Sequence, residues 1–245
     1  MANYRLTVVI PCFNEERSLV ADRYLFFCES IAKDVMIIFV DDASTDKTSS
    51  LLNKMSEVCS NIVVITNEVN LGKAASVMIG VKTAFQKFEF DKIAFLDGDL
   101  AAPLLECERL SEYIDAENDA VIGARILRVG ANIQRNYFRH IVGRIIATLI
   151  SKSLNLKIYD SQCGCKVFKS NIAKIIFERD FISKWLFDVE LIFRIKEVNK
   201  KQGKKHFGIL EIPLTTWVEY GDSKVSKWYF FKLFVDLYRI NKQYN

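Results

Sequence analysis

Three apolar stretches of the chain each run directly into a polar or acidic turn that is followed by a helical pattern. Residues 6–10 precede Pro11 and a polar turn, residues 35–40 precede an acidic turn at 41–48, and residues 93–96 precede a second acidic turn. Strands that alternate with helices in this way form parallel sheets, and the carboxyl ends of parallel strands meet at one edge. We therefore predict an α/β fold with a mainly parallel central sheet whose polar edge binds a ligand.

The second acidic turn consists of Asp97, Gly98 and Asp99, which are the residue types of a cation site. Residues two apart in an extended chain project to the same side, so both carboxylates can face one divalent cation, Mg²⁺ or Mn²⁺. Gly98 has no side chain that would block a bound diphosphate or sugar. The alternative interpretation is a plain loop in which the two aspartates cap the following helix.

The size of the chain fits a single domain. It has 245 residues, of which 50% are hydrophobic, and its three prolines and ten glycines are too few for hinged linkers. We predict one domain over residues 1–225, followed by a C-terminal helix over residues 226–245. The first strand is predicted to begin at about Tyr4, which leaves no space for a signal peptide, so we expect a cytoplasmic protein.

Charge is strongly segregated along the middle of the chain. Residues 120–159 contain seven arginines and lysines, Arg144 among them, and no Asp or Glu, directly after the acidic residues 106–119. Such segregation indicates an anionic partner. Apolar residues recur at helical spacing inside the basic stretch, at Phe138, Ile141, Val142, Ile145 and Leu149. This pattern predicts a helix that lies at a bilayer surface, and the alternative is an ordinary amphipathic helix packed on the sheet.

A second segment, residues 226–239, is dense in aromatic side chains and has lysines on both sides. Aromatic belts with basic neighbours suit the headgroup zone of a membrane. Neither segment has about 18 uninterrupted apolar residues, so we predict a peripheral protein on the cytoplasmic face of a membrane.

Nucleic acid is the other common partner of a basic, aromatic-rich stretch. The net charge is only +4, and no helix-turn-helix, zinc-finger or RNA-binding signature is visible, so we predict no nucleic-acid partner. The turn after the first strand also lacks the G-x-G-x-x-G pattern of a dinucleotide-binding dehydrogenase.

Several short motifs, in order along the chain, resemble those of family 2 glycosyltransferases of the GT-A fold. In the first half these are PCFNE at 11–15, VDDASTD at 40–46, NLGK at 70–73 and DGD at 97–99. In the second half, GAR at 123–125, DSQCGCKVF at 160–168, WLFDVE at 185–190, EIP at 211–213 and GDSK at 221–224 are similar to the polyprenyl-phosphate branch. Within that branch the Gln-Cys-Gly run most resembles dolichyl-phosphate β-glucosyltransferases.

The resemblance implies a GT-A-type, Rossmann-like domain with a nucleotide-sugar half at about 1–124 and an acceptor half at about 125–225. It also implies a metal bound by Asp99 and Asp97. The residues implied for nucleotide-sugar binding are Pro11, Asn14, Glu15, Asp41, Asp42, Lys73, Asp97, Gly98 and Asp99. Those implied for the acceptor phosphate are Arg125, Arg135, Arg139 and Lys224, and the candidate catalytic residues are Asp99, Asp188, Arg125 and Arg139.

The implied reaction is an inverting, metal-dependent transfer of a hexose to a polyprenyl phosphate such as dolichyl or undecaprenyl phosphate. UDP-glucose is the favoured donor and GDP-mannose is possible. A phosphate acceptor needs no strong base, and Asp188 then orients the sugar or Lys166. In one alternative the protein elongates a glycan and Asp188 is the general base. In an alternative of another class, the chain is a noncatalytic membrane-binding module.

Overall fold

The computed structural model describes residues 3–19, 29–134, 136–219 and 229–244, without the side chains of residues 138, 139 and 229–231. Seven strands form the central sheet: β1 (Asn3–Cys12), β2 (Val35–Asp41), β3 (Ile62–Thr66), β4 (Glu89–Leu96), β5 (Ala120–Ala124), β7 (Cys165–Lys169) and β8 (Ile209–Pro213). Two short strands, β6 (Asn132–Gln134) and β9 (Thr216–Val218), pair with each other.

Seven α-helices connect and cover these strands in the described part of the chain: α1 (Thr48–Val58), α2 (Lys73–Lys87), α3 (Leu104–Ser111), α4 (Tyr137–Leu154), α5 (Ser170–Ile176), α6 (Phe187–Lys200) and α7 (Tyr229–Tyr244). A short 3₁₀ turn spans Lys205–Gly208.

The strand order of the central sheet is β3-β2-β1-β4-β7-β5-β8. The first four strands are mutually parallel, with Leu6 paired to both Val35 and Lys92, whereas β7 runs antiparallel to β4 and β5. The prediction of an α/β fold with a mainly parallel sheet is therefore confirmed, with β7 as the reversed strand.

Helices cover both faces of the sheet. All seven residues of β2 are buried, as expected for a parallel strand between two helical layers. Val8 and Ile10 belong to the apolar cluster on one face, and Val9 belongs to the cluster on the other. A Cβ atom at Gly80 of α2 would collide with the Val9 side chain, so this glycine allows α2 to pack closely on β1.

Helix α4 has apolar residues on two faces. Ile150 and Leu154 are buried in a third cluster with residues of α6 and α7. Ile141 and Ile145, which the sequence assigned to the apolar face, are 42% and 58% exposed. The helix therefore packs on the molecule through Ile150 and Leu154, whereas Ile141, Ile145 and Leu149 of the predicted apolar stripe are exposed and Val142 is half-buried.

No helix within the described ranges combines the length and apolar character needed to cross a membrane.

Candidate functional site

The acidic turn follows β4 at the polar edge of the sheet. The Asp97 backbone N–H donates to the carbonyl of Gly164 at 2.9 Å, which ties the turn to the start of β7. The Leu100 N–H closes the turn on the Asp97 carbonyl, and the Ala101 N–H donates to Asp99 Oδ1 at 3.0 Å. Asp97 and Asp99 are both half-buried at this edge.

Two glycines allow the turn to adopt this geometry. A Cβ atom at Gly98 would collide with the carbonyl oxygen of Pro11, so the glycine is needed for backbone packing against β1. A Cβ atom at Gly164 would overlap the carboxylate of Asp97. Sequence reasoning assigned no role to Gly164, and the only signal was its place in the DSQCG motif.

Lys73, the first residue of α2, forms an ion pair with Asp97. Its Nζ lies 2.5 Å from Asp97 Oδ1 and above the rings of Phe95 and Phe187. Burial lowers the pKa of Lys73, but Asp97, Asp188 and Asp99 outweigh this effect and raise it. Burial likewise raises the pKa of Asp97, and the nearby cations, led by Lys73, lower it overall, so that both groups are charged.

Asp99 has a different environment from Asp97. Burial, followed by the negative charge of Asp97, raises the pKa of Asp99 to about 6. Without a further cation, this carboxylate therefore takes up a proton at a higher pH than an ordinary aspartate does. A positive charge placed between the two aspartates would favour the ionised form of Asp99.

The donor set of this edge fits a hard divalent cation. Within residues 3–19, 29–134, 136–219 and 229–244, no three or more His, Cys, Asp and Glu side chains cluster as metal ligands. Mg²⁺ is commonly held by one or two carboxylates, with water and substrate phosphates completing its coordination. Lys73 already neutralises Asp97, whereas no lysine or arginine of the described residues forms an ion pair with Asp99. The site therefore suits a cation that is bound together with a diphosphate.

Asp41 and Asp42, at the end of β2, are both buried but differ in their partners. Asp42 accepts hydrogen bonds from the N–H groups of Leu71 at 2.9 Å and Gly72 at 2.7 Å. It thereby holds the loop that leads into Lys73. Asp41 Oδ1 accepts from the Ser44 N–H, whereas Asp41 Oδ2 is buried and forms no hydrogen bond within the described residues. An unsatisfied buried acceptor of this kind suits a donor supplied by a ligand.

The turn after β1 is tied to the turn after β2. Asn14 has a positive φ of 53°, which asparagine tolerates better than most residues, and its Oδ1 accepts from the Thr45 N–H at 2.8 Å. The Glu15 N–H donates to Thr48 Oγ1 at 2.7 Å. Pro11 is buried at the end of β1. The structure thus brings all nine predicted nucleotide-sugar residues to the ends of β1, β2 and β4 and the start of α2.

Asp188, near the start of α6, forms a buried ion pair with Lys166. Lys166 Nζ lies 2.6 Å from Asp188 Oδ1 and 2.5 Å from the carbonyl of Cys163, and the lysine is 0% exposed. Asp188 therefore contacts Lys166, the partner considered for it in the sequence. Asp188 is the second residue of α6, whose N-cap residue is Leu186.

Arg125, directly after β5, is paired with Asp160. Nε and Nη2 of Arg125 lie 2.7 and 2.8 Å from the two carboxylate oxygens of Asp160. The guanidinium also lies 5.4 Å from the ring centroid of Trp217. Burial lowers the pKa of Arg125, but Asp160 raises it strongly overall. Arg125 is therefore held firmly in place, and Asp160 offsets its charge.

The other three predicted acceptor residues are not placed. Arg135 and Lys224 lie outside the described residues, and Arg139 is a residue of α4 whose side chain is not described.

Comparison with known proteins gives consistent relatives. A family model described as glycosyl transferase family 2 matches residues 7–177. An undecaprenyl-phosphate 4-deoxy-4-formamido-L-arabinose transferase from Photorhabdus laumondii is 31% identical over 177 residues, which are 71% of this chain and 52% of that protein. A dolichyl-phosphate beta-glucosyltransferase from Dictyostelium discoideum is 28% identical over 239 residues, which are 91% of this chain and 69% of that protein. The chain spans about half the length of the undecaprenyl-phosphate transferases from Photorhabdus laumondii and Pectobacterium carotovorum that it matches.

Solved structures share the fold at low sequence identity. Glucosyl-3-phosphoglycerate synthase from Mycobacterium tuberculosis, in complex with uridine diphosphate, has a TM-score of 0.66 at 14% identity, covering 98% of this chain and 80% of that chain. The same enzyme with Mn²⁺, UDP-glucose and glycerol 3-phosphate has a TM-score of 0.62 at 14% identity and covers 97% and 77%. The family and the fold class predicted from the motifs are both confirmed.

Proposed function

Because the chain belongs to glycosyl transferase family 2, we propose that it transfers a hexose, with inversion, from a nucleotide sugar to a polyprenyl phosphate in a metal-dependent reaction. UDP-glucose is the favoured donor, and dolichyl or undecaprenyl phosphate is the acceptor. The relatives that are named as dolichyl-phosphate and undecaprenyl-phosphate transferases support the choice of acceptor. The observation that carries the proposal is the Asp97 and Asp99 pair beside Lys73 at the polar edge of the sheet.

The donor half of the site binds the nucleotide and its diphosphate. Asp99, with Asp97 beside it, would hold Mg²⁺ or Mn²⁺, which would neutralise charge on the leaving diphosphate. Lys73 supplies a fixed positive charge at the same edge. The unsatisfied Oδ2 of Asp41 is an acceptor for a donor group of the base or ribose.

The acceptor half must tolerate a second anion beside the donor. A phosphate monoester is largely ionised near neutral pH, so its oxygen attacks the anomeric carbon without a strong general base. Direct attack by that oxygen accounts for inversion. Arg125 and Arg139, with Arg135 and Lys224, are proposed to bind the acceptor phosphate and reduce its repulsion from the donor.

Asp188 acts as a support in this proposal. Its carboxylate is buried and holds Lys166, whose charge in turn acts on Asp97. A general base for a sugar hydroxyl needs a carboxylate that reaches the substrate. The buried ion pair therefore favours a phosphate acceptor over the glycan-elongating alternative.

A membrane surface is the proposed location of the acceptor. Tyr137, Ile141, Ile145 and Leu149 are spaced four residues apart on α4, and all four are exposed. On α7, which packs with α4 in the third apolar cluster, Phe234 and Tyr238 are also exposed. Apolar residues on basic helices suit the interface of an anionic bilayer. We therefore propose a peripheral protein on the cytoplasmic face.

Transfer of radiolabelled sugar tests the proposed function. UDP-glucose and GDP-mannose are each supplied with dolichyl or undecaprenyl phosphate and Mn²⁺. Lipid-extractable label from UDP-glucose is expected, and it should be absent with Asp99→Asn and with chelator but unchanged with Asp91→Asn, an exposed aspartate of β4. Label in a water-soluble glycan would favour the elongating alternative. No label with any donor would favour the noncatalytic module.

A further inference from the structure

A solvent-accessible cleft lies beside Arg125, between α4 and the segment that leads from α4 to β7. Its helical wall contains Gly143, Arg144 and Ala147. Gly143 and Ala147 are four residues apart and share one face of the helix, and because Gly143 has no side chain and Ala147 has only a methyl group, the cleft stays open. The opposite wall is polar and consists of Tyr159, Asp160, Ser161 and Gln162.

Arg144 is the cation of the helical wall. Its Cζ lies 3.5 Å from the ring centroid of Tyr159, and its Nη1 donates to the Tyr159 carbonyl. Both contacts are with neutral groups, so they do not cancel the charge of Arg144. A guanidinium has five N–H donors. Stacking on the Tyr159 ring fixes the plane of the Arg144 guanidinium, and the bond to the Tyr159 carbonyl uses only one of these donors.

Arg125 lines the same cleft but differs from Arg144 in its pairing. Both carboxylate oxygens of Asp160 accept hydrogen bonds from it, so the two charges offset each other. An anion that enters the cleft therefore meets Arg144, whose guanidinium forms no ion pair with a carboxylate of the described residues.

Glu211 of β8 fixes the polar wall. Its Oε2 accepts from the Tyr159 N–H at 2.8 Å, and its Oε1 accepts from the Asp160 N–H at 2.6 Å. The charge of Arg144 acts on Glu211, but both carboxylate oxygens are already engaged by the backbone. One carboxylate thus holds the two residues that contact Arg144 and Arg125.

We propose that Arg144 binds the phosphate monoester of the acceptor in this cleft, with Tyr159 as the residue that positions its guanidinium. The identity of the acceptor as a prenyl phosphate rests on the proposed function. The planar guanidinium fork matches two oxygens of a phosphate, which a lysine cannot do in the same way. Arg144 was part of the basic stretch in the sequence, but no motif distinguished it from its neighbours.

Binding of farnesyl phosphate, a short prenyl monophosphate, tests this role in the full chain by isothermal titration calorimetry. Arg144→Gln should weaken binding by about tenfold to a hundredfold, since a hydrogen bond to a charged group contributes about 1.5–3 kcal/mol. Arg144→Lys should retain part of the affinity. Ala147→Leu, which fills the cleft without removing charge, should also weaken binding. Lys152→Gln, an exposed charge on the same helix, is the matched control and should bind like the wild type.

Two parallel titrations separate the remaining outcomes. UDP-glucose binding should be unchanged in every variant, and its loss together with farnesyl phosphate binding would make Arg144 a residue of the fold and overturn the inference. Equal farnesyl phosphate binding by the wild type and Arg144→Gln would also overturn it. Inorganic phosphate should bind much more weakly than farnesyl phosphate. Equal affinities for the two would mean that the cleft binds free phosphate and does not recognise the headgroup of a lipid. Arg144-dependent binding without sugar transfer would support this site and contradict the proposed function instead.

Discussion

Burial and the negative charge of Asp97 raise the pKa of Asp99 to about 6. The pKa of Asp97, by contrast, is lowered by Lys73 and other cations, although Asp97 is buried too. At the scale of single residues, the two members of the DGD motif are therefore not equivalent. One is neutralised by the protein itself, and the other is available to an added cation. The sequence predicted the pair but not this division, because Lys73 is 24 residues away from Asp97 along the chain.

The raised pKa of Asp99 gives a pH dependence for cation binding. A cation needs the ionised carboxylate, so below about pH 6 it must displace a proton, and Mn²⁺ affinity should fall by about tenfold per pH unit. Above about pH 7 the affinity should be nearly constant. Titration of Mn²⁺ in the presence of UDP between pH 5 and 8 measures this profile. Asp99 does not bind the cation if the Mn²⁺ affinity is independent of pH, or if the Asp99→Asn variant has the same pH dependence as the wild type.

Gly164 gives a prediction that depends only on space. Its missing side chain leaves room for the carboxylate of Asp97, so Gly164→Ala should displace that carboxylate and reduce transfer by about tenfold or more. Gly203→Ala, at a positive φ of 64° in the turn after α6, has no atom within 4 Å and should lower only the melting temperature. Full activity in Gly164→Ala would show that the position of Asp97 is not critical.

The ion pair between Lys166 and Asp188 allows a supporting role of Asp188 to be distinguished from a catalytic role by measuring stability. Asp188→Asn leaves the fully buried Lys166 without its carboxylate, so the free energy of unfolding should fall by about 3–5 kcal/mol. The double change Lys166→Met with Asp188→Leu should recover most of that stability. Chemical denaturation measures both. If the Asp188→Asn variant were as stable as the wild type but inactive, the result would instead favour Asp188 as a general base.

At the scale of elements, α4 and α7 combine a buried face with an exposed apolar one. Ile150, Leu154 and Ile240 hold these helices on the molecule, whereas Ile145 and Tyr238 are exposed. The sequence predicted that α4 is amphipathic, but its apolar residues surround more than one face. Which face would pack inward depends on α6 and α7, and the helical period alone does not contain that information.

The exposed stripe of α4 should bind anionic vesicles. Ile141→Ser with Ile145→Ser removes apolar area at an assumed contribution of about 25 cal/mol per Å², so vesicle affinity should fall by about tenfold or more. The melting temperature should stay near that of the wild type because both residues are exposed. Val58→Ser, an exposed apolar residue of α1, is the control in liposome flotation. If the double variant floats with liposomes as well as the wild type does, the exposed stripe of α4 does not contact the membrane.

At the scale of the whole molecule, the sheet brings distant parts of the chain to one edge. The apolar runs of β1, β2 and β4 predicted the parallel part of the sheet, since each run is followed in the sequence by a polar turn and a helical pattern. The reversal of β7 was not predictable, because its buried residues look alike in either direction. The same limit applies to the site: Arg125 pairs with Asp160 across 35 residues, and nothing in the local pattern of either residue identifies the other.

The central claim is that Asp99, with Asp97, holds a divalent cation against the diphosphate of a nucleotide sugar. A crystal soaked with UDP-glucose and Mn²⁺, with the ion located by its anomalous scattering, tests this claim most directly. The account predicts an Mn²⁺ peak at about 2.1 Å from a carboxylate oxygen of Asp99, with the diphosphate on its other side and the uracil near Asp41. A nucleotide and cation bound together at another part of the molecule, with Asp97 and Asp99 contacting neither, would contradict it.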